Sequence, residues 1–259
     1  MTLNKREWGR RYWLHHIYRR PLQLRDTAPI VSFTFDDFPR TAYTVGGAML
    51  KSYGARGTFY SAFGLMNSAN DSGHLFQLDD LHSLIADQHE LGSHTFNHVS
   101  SRCTSGNMFL QDALEGRAAL QRVPGLTVSD NFAYPFGAVT AHSKRVVGNS
   151  MLSCRSIYRG VNAPLVDLNL LLANPLYGDT DQLGFLRRLF HEAQQLGGWL
   201  ILYTHDVREA HSRYGCTPAL LDSAIRLARD SSMQILTVNE VVRTRLKSAV
   251  NTQRRSAYL

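Results

Sequence analysis

Hydrophobic positions along the chain alternate between two spacings. Short apolar stretches at Ile30–Phe35, Gly57–Phe63, Asn131–Tyr134, Arg155–Tyr158, Trp199–Tyr203 and Gln234–Val238 read as strands. Between them the spacing turns helical. Gly46–Tyr53 reads as a helix, and Leu78–Leu91 carries Leu78, Leu81, Leu84, Ile85 and Leu91 on one face, with Gly92 as its stop. Asn107–Arg122 ends at Pro124–Gly125, and Leu183, Leu186, Leu189, Phe190 and Ala193 share a further helical face. Thr217–Pro218 opens a helix by a cap and a first-turn proline, continuing through Ile225 and Ala228. Strands alternating with helices predict an α/β protein built on a parallel sheet or barrel. Titratable residues and a tight turn follow the strand ends at Asp36–Asp37, His94, Pro135–Gly137 and His205–Asp206. In such folds that end gathers the chemistry, so these distant segments are expected to meet.

Four segments carry candidate chemistry. In Thr34-Phe35-Asp36-Asp37 two adjacent carboxylates repel one another, and such a pair calls for a cation nearby. A solvated turn is the plain alternative. In His94-Thr95-Phe96-Asn97-His98 two histidines at i and i+4 are expected on one face of a helical turn, a spacing that suits one metal ion. Thr95 stands where a zincin would carry glutamate, so a base has to come from elsewhere. Phe132-Ala133-Tyr134-Pro135-Phe136-Gly137 makes a tight turn that can expose a backbone N–H to a developing oxyanion. His205 closes the apolar run Leu200–Tyr203, where it can serve as a general acid or as an ordinary structural histidine.

In this order the four segments resemble the polysaccharide deacetylase family, the NodB-homology or carbohydrate esterase family 4, from roughly Ala28 to Val242. The resemblance implies a distorted (β/α) barrel of the NodB-homology type. It implies Asp37, His94 and His98 as ligands of a divalent metal ion, zinc first, with cobalt, manganese or nickel as alternatives. It makes Asp36 the catalytic base, His205 the general acid, and the Phe136 N–H an oxyanion donor. Tyr134, Pro135, Arg155 and Arg159 are the expected substrate-binding residues. The arginine that many members carry two positions before the motif proline is Ala133 here, so Arg155 and Arg159 are the two substitutes considered. Asp206 and Asp167 are the carboxylates considered as partners for His205.

The implied function is metal-dependent removal of an N-acyl group, acetyl first, from an amino sugar or a polysaccharide precursor. Three alternatives remain: deformylation of a lipid-linked formamido sugar, hydrolysis of a small ring amide, and a non-catalytic sugar-binding module.

Composition narrows the setting. The 259 residues suffice for one large domain, expected at 28–242 between a basic, aromatic arm (1–27) and a basic tail (243–259). No apolar run is long enough to span a membrane. The formal charge is +7, its excess falling partly on Lys5, Arg6, Arg10, Arg11, Arg19 and Arg20 and on Arg243, Arg245, Lys247, Arg254 and Arg255. These read as solvated ends, and nucleic acid is not an expected partner. Trp8, Tyr12, Trp13 and Tyr18 keep no clean stripe, so a packing arm is preferred over an interfacial helix touching a membrane surface. Cys103, Cys154 and Cys216 form neither a disulfide framework nor a C-x-x-C pair. Arg10–Arg11 is followed by no apolar export region, and a cytoplasmic location is expected.

Overall fold

The computed structural model describes residues 5–24 and 28–246. Helix α1 (Lys5–His16) and strand β1 (Pro21–Gln23) lead into β2 (Ile30–Phe35). A π-helical stretch (Ala42–Gly47) continues as α2 (Ala48–Ser52), followed by β3 (Thr58–Ser61) and a small hairpin, β4 (Ala69–Asn70) and β5 (Gly73–His74). Then come α3 (Leu78–Ala86), β6 (Glu90–Ser93), α4 (Gly106–Gln121), β7 (Val128–Ala133), α5 (Ala141–Gly148), β8 (Ser153–Arg155), β9 (Leu165–Asp167) and β10 (Asn174–Pro175). Helix α6 (Leu183–Leu196), β11 (Trp199–Thr204), α7 (Pro218–Asp230) and β12 (Gln234–Ile235) follow, and residues 238–246 are helical.

The main sheet runs β10-β11-β2-β3-β6-β7-β8, with β12 also paired to β2, and its pairings are parallel. It curls into a partial barrel, the distorted (β/α) architecture expected. Strands β2 and β11 are buried at every position. Their few polar groups are satisfied inside: Thr34 Oγ1 donates to the Leu202 carbonyl, and Trp199 Nε1 donates to Ser32 Oγ. Because the sheet is parallel, every strand delivers its C-terminal residue to the same rim. At the opposite end Glu90 is buried and accepts from Thr58 Oγ1, Ser129 Oγ, Asn131 Nδ2 and the Asn239 N–H at 2.6–2.8 Å. That carboxylate ties three strands to the last helix.

Several local readings are corrected. The helix read as Leu78–Leu91 ends at Ala86, and Leu91 and Gly92 belong to β6. A Cβ at Gly92 would lie 2.9 Å from the Tyr60 ring, so this glycine makes room between strands and does not cap a helix. The helix read as Gly46–Tyr53 begins earlier, in the π-helical stretch. Strand β7 starts at Val128, before the expected Asn131, and β8 at Ser153, before Arg155. Val238 starts a helix where the last strand was expected to end.

The arm is packed on the domain. Leu14 is buried with Phe109, Phe132 and Val139. The buried Lys144 ammonium donates to the Leu14 and Ile17 carbonyls and pairs with Asp167 at 2.6 Å, closing the C-terminal end of α1. Arg10 donates to the Val139 carbonyl, and Arg20 donates to those of Met151 and Leu152. These arginines are therefore structural, against the expectation of solvated ends. Tyr12, Trp13 and Tyr18 remain exposed. The side chains of Lys5, Arg6 and Trp8, and all of Lys247, Arg254 and Arg255, lie outside the described residues. No described helix is long and apolar enough to cross a membrane.

One stability prediction arises here. His89 is buried, its Nδ1 accepts the Gly57 N–H at 3.0 Å, and burial pushes its pKa down to about 4. The folded protein binds this proton less readily than the unfolded chain, whose histidine titrates near 6.5. Stability is therefore complete above the unfolded value and falls as pH drops from about 6.5 toward 4. At about pH 5 the expected loss from this one group is about 2 kcal/mol. Chemical denaturation at pH 7 and 5 checks it. His89→Asn should be less stable at pH 7 but lose less on acidification; an identical acid loss in both proteins would remove His89 as the cause.

Candidate active site

The C-terminal rim gathers residues from four strands. Asp36 and Asp37 follow β2, His94 follows β6, the Pro135–Gly137 turn follows β7, and His205 follows β11. They meet in a cavity of about 230 Å³ lined by Asp36, Asp37, His94, His98, Phe136 and His205, with Ile157, Tyr177, Tyr203 and Tyr214 completing its wall.

The backbone at this rim is strained. Asp37 (φ 60°), Phe38 (57°), Thr95 (66°), His98 (54°) and Phe136 (58°) all take left-handed conformations without being glycine. Such residues cost energy and persist only where the surroundings hold them. They also correct the expected helical turn at 94–98: the segment is an irregular loop, and its left-handed residues, not helical periodicity, bring the two imidazoles together. The loop is tied to α4, where Asp112 Oδ1 accepts the Phe96 and Asn97 N–H groups.

Asp37 Oδ1 lies 3.1 Å from His98 Nε2 and 3.6 Å from His94 Nε2. The three side chains offer donor atoms within 4.8 Å of one another. His94 Nδ1 stands 2.8 Å from the Ala133 carbonyl and must donate its proton there. That fixes the tautomer and leaves the Nε2 lone pair facing a carboxylate. Burial pushes the His94 pKa down to about 4, so the ring does not relieve the clash by charging at neutral pH. Asp37 is also buried; burial alone would raise its pKa, but the adjacent His98, followed by His94 and His205, holds it well below the usual carboxylate range. Its Oδ1 is nevertheless buried without a well-formed hydrogen bond. A buried anionic oxygen beside the His94 Nε2 lone pair and the His98 ring fits a divalent cation, and oxygen–nitrogen donor sets suit zinc and its neighbours.

Asp36 is held differently. Its Oδ1 accepts from Arg155 Nη2, and its Oδ2 has no hydrogen-bond partner among the described residues. Arg155 is fully buried and its guanidinium sits 5.2 and 5.1 Å from the Tyr60 and Tyr203 ring centres. Burial would lower the Arg155 pKa, yet the Asp36 carboxylate beside it raises it. Arg155 stands directly across from Ala133 in the β7–β8 register. Of the two arginines considered, Arg155 is the one that contacts Asp36, from the strand adjacent to Ala133. Arg155 accordingly sits behind Asp36 and does not line the cavity. Tyr134 and Pro135 are also buried outside the cavity wall, and Arg159 lines a neighbouring cavity.

Phe136 exposes 65% of its surface, and its ring packs 4.5 Å from that of His98. His205 lies between Tyr177 and Tyr214, at 6.2 and 5.4 Å between ring centres. Its buried Nδ1 has no hydrogen-bond partner among the described residues. Asp206 is engaged by Arg208 and Ser212, and Asp167 by Lys144, Arg20 and Asn169, so neither balances His205. Sequence reasoning did not find Ile157, Tyr177, Tyr203 or Tyr214. Only Tyr203 carried a signal, two residues before His205 and hence on the same face of a strand.

The sequence model of the polysaccharide deacetylase family matches residues 24–151. None of the curated proteins compared matches the sequence. Among solved structures, the chitin deacetylase of the fungal pathogen Colletotrichum lindemuthianum is similar at 19% identity and a TM-score of 0.57, covering 85% of this chain and 89% of its own. A family 4 carbohydrate esterase from Streptomyces lividans, solved with acetate, is similar at 15% identity and a TM-score of 0.54, covering 81% and 93%. A peptidoglycan deacetylase from Bacillus subtilis reaches 14% identity and a TM-score of 0.52, covering 90% and 98%. At such identities these likenesses speak for the fold, and the motif-bearing half speaks for the family. Through residues 24–151 the chain belongs to the polysaccharide deacetylase family, and its curled parallel sheet is the fold of the solved deacetylases of carbohydrate esterase family 4.

Proposed function

We propose that this protein is a metal-dependent hydrolase that removes an N-acyl group, acetyl first, from an amino sugar or an acylated polysaccharide precursor. The observation that carries this reading is one cavity holding a free carboxylate edge, an Asp-His-His donor set and a further histidine, His205. Asp37, His94 and His98 would hold the divalent ion, zinc or a neighbouring transition metal. Bound there, the ion supplies Lewis-acid polarisation of the acyl carbonyl and compensates the charge that grows on its oxygen.

The chain's own residues do the rest. Asp36, fixed through one oxygen by Arg155, takes the proton of the attacking water with the other. The Phe136 N–H stabilises the oxyanion from the 135–137 turn. The new C–O bond forms first, placing the charge on the former carbonyl oxygen; the carbonyl then re-forms as the C–N bond breaks, and His205 delivers the proton that lets the amine depart. The products are the free amino sugar and the carboxylate. Packing of the arm through Leu14 and Lys144 supports a closed domain without requiring a membrane surface.

Mass-spectrometric screening of metal-loaded protein against N-acetyl and N-formyl amino sugars, free and lipid-linked, tests the reading; no acid release from any of them would sink it. The His205 role has its own test. An amine leaves poorly unless protonated, whereas an aryl alcohol needs little help. His205→Ala should slow amide hydrolysis by about 10²–10⁴-fold and aryl acetate hydrolysis far less. Equal losses on both substrates, with a lowered melting temperature, would make His205 structural.

A further inference from the structure

A second cavity of about 540 Å³ shares the Tyr177 wall with the catalytic one. Arg159, Arg188, Arg213 and His211 line it. Three guanidinium groups in one concave surface repel each other, and none of the three forms an ion pair among the described residues. Neither nearby acid pairs with these arginines: Asp179 is exposed and stands 3.9 Å from His211, and Asp181 accepts from Gln182. Two of the arginines are pre-positioned on aromatic rings, Arg159 at 5.3 Å from the Phe185 ring centre and Arg213 at 4.3 Å from that of Tyr214. Arg188 projects from α6 with no partner among the described residues.

The position of this wall gives it meaning. Tyr177, which lines both cavities, flanks His205 together with Tyr214, the ring on which Arg213 rests. If His205 protonates the leaving amine, the sugar bearing that nitrogen lies on the His205 side, next to the arginines. We propose that the arginine-lined cavity binds a phosphoryl group carried by the amino sugar, so that the preferred substrate is a phosphorylated or diphosphate-linked N-acyl amino sugar and not a neutral chain. This rests on the deacylase reading of the adjoining site. The planar guanidinium fork matches phosphate oxygens in pairs, and three such forks exceed what one sugar carboxylate can satisfy.

The test compares kcat/KM of the metal-loaded enzyme on N-acetylglucosamine, its 1-phosphate, its uridine-diphosphate conjugate, a short prenyl-diphosphate conjugate and a neutral chito-oligomer. The phosphorylated forms should exceed the neutral ones by about tenfold or more, and the ranking among them separates a free phosphate from a nucleotide or lipid link. Arg159→Gln with Arg188→Gln should collapse that ratio toward one. Equal kcat/KM on neutral and phosphorylated forms in the wild type, or a ratio unchanged in the variant, overturns the proposal. A binding measurement keeps the two claims apart. Calorimetry with inorganic diphosphate should show binding to the wild-type protein and about tenfold weaker binding to the double variant. That result with no amide cleaved would leave the anion site standing and the deacylase reading fallen. Equal diphosphate affinity in both proteins, or none in either, overturns the anion site.

Discussion

His94→Ala is expected to lose both metal and turnover, whereas Asp36→Asn keeps the metal and loses turnover by about 10²–10⁴-fold. The two residues lie in one cavity but are held in opposite ways. His94 gives its only ring proton to the Ala133 carbonyl, so its Nε2 is an acceptor directed at Asp37. Nothing else among the described residues can replace that lone pair in the Asp37–His98 set. Asp36, one residue from a ligand, is turned to Arg155 instead, and its second oxygen is free to act as a base. Metal content by mass spectrometry and kcat on the same preparations separate the roles, with melting curves to show that both variants fold. Equal metal loss in the two variants would make Asp36 a ligand and leave the reaction without its base.

Arg155→Met should be the most destabilising single change at the site. The side chain is fully buried, and its departure strands the nearly buried Asp36 carboxylate without a counter-charge. Breaking a buried ion pair from one side costs about 3–5 kcal/mol. Chemical denaturation measures that loss, and kcat should fall with it because Asp36 is no longer held in place. Lysine at 155 restores charge but not the fork, so partial recovery is expected. Because Ala133 faces Arg155 across the β7–β8 register, Ala133→Arg in an Arg155→Ala background should recover more turnover than Arg155→Ala alone. A wild-type denaturation midpoint for Arg155→Met would show that the pair contributes nothing to stability.

The sequence displays this site unevenly, for physical reasons. Strands β2 and β11 are buried on both faces, so Ile30–Phe35 and Trp199–Tyr203 stand out as apolar runs, and the polar residues at their ends are easy to place. His94 and His98 were legible as a pair, but not their geometry. The i, i+4 spacing points to a helical turn, while the loop is shaped by left-handed residues held against α4, where a Cβ on Gly116 would fall 2.4 Å from the Thr95 carbonyl. No local pattern encodes that pressure. Arg155 was one of two substitutes for the missing arginine, and only the strand register, together with its contact to Asp36, separates it from Arg159. Tyr177 and Tyr214 reach the cavity from irregular segments, where residue type alone does not announce direction. The overrun of the α3 reading into Leu91 has a similar origin, since leucine spacing does not reveal a strand that needs Gly92 to admit a neighbouring ring.

The pairing of β2 with β11 and β12 has a consequence for how the chain is made. Ile30 sits opposite Trp199 and Gln234, and Thr34 bonds a carbonyl 168 residues away. As the polypeptide leaves the ribosome, one flank of β2 can be covered early by β3, but the other waits for almost the whole chain. Until then an apolar strand with open hydrogen-bonding groups is exposed, the kind of edge that seeds aggregation in nascent proteins. Closing loops of that length is slow, and the Asp36–Asp37 carboxylates have no settled place until it is done. A chain interrupted before Trp199 should therefore accumulate as insoluble protein, even though Asp37, His94 and His98 have all been synthesised by then.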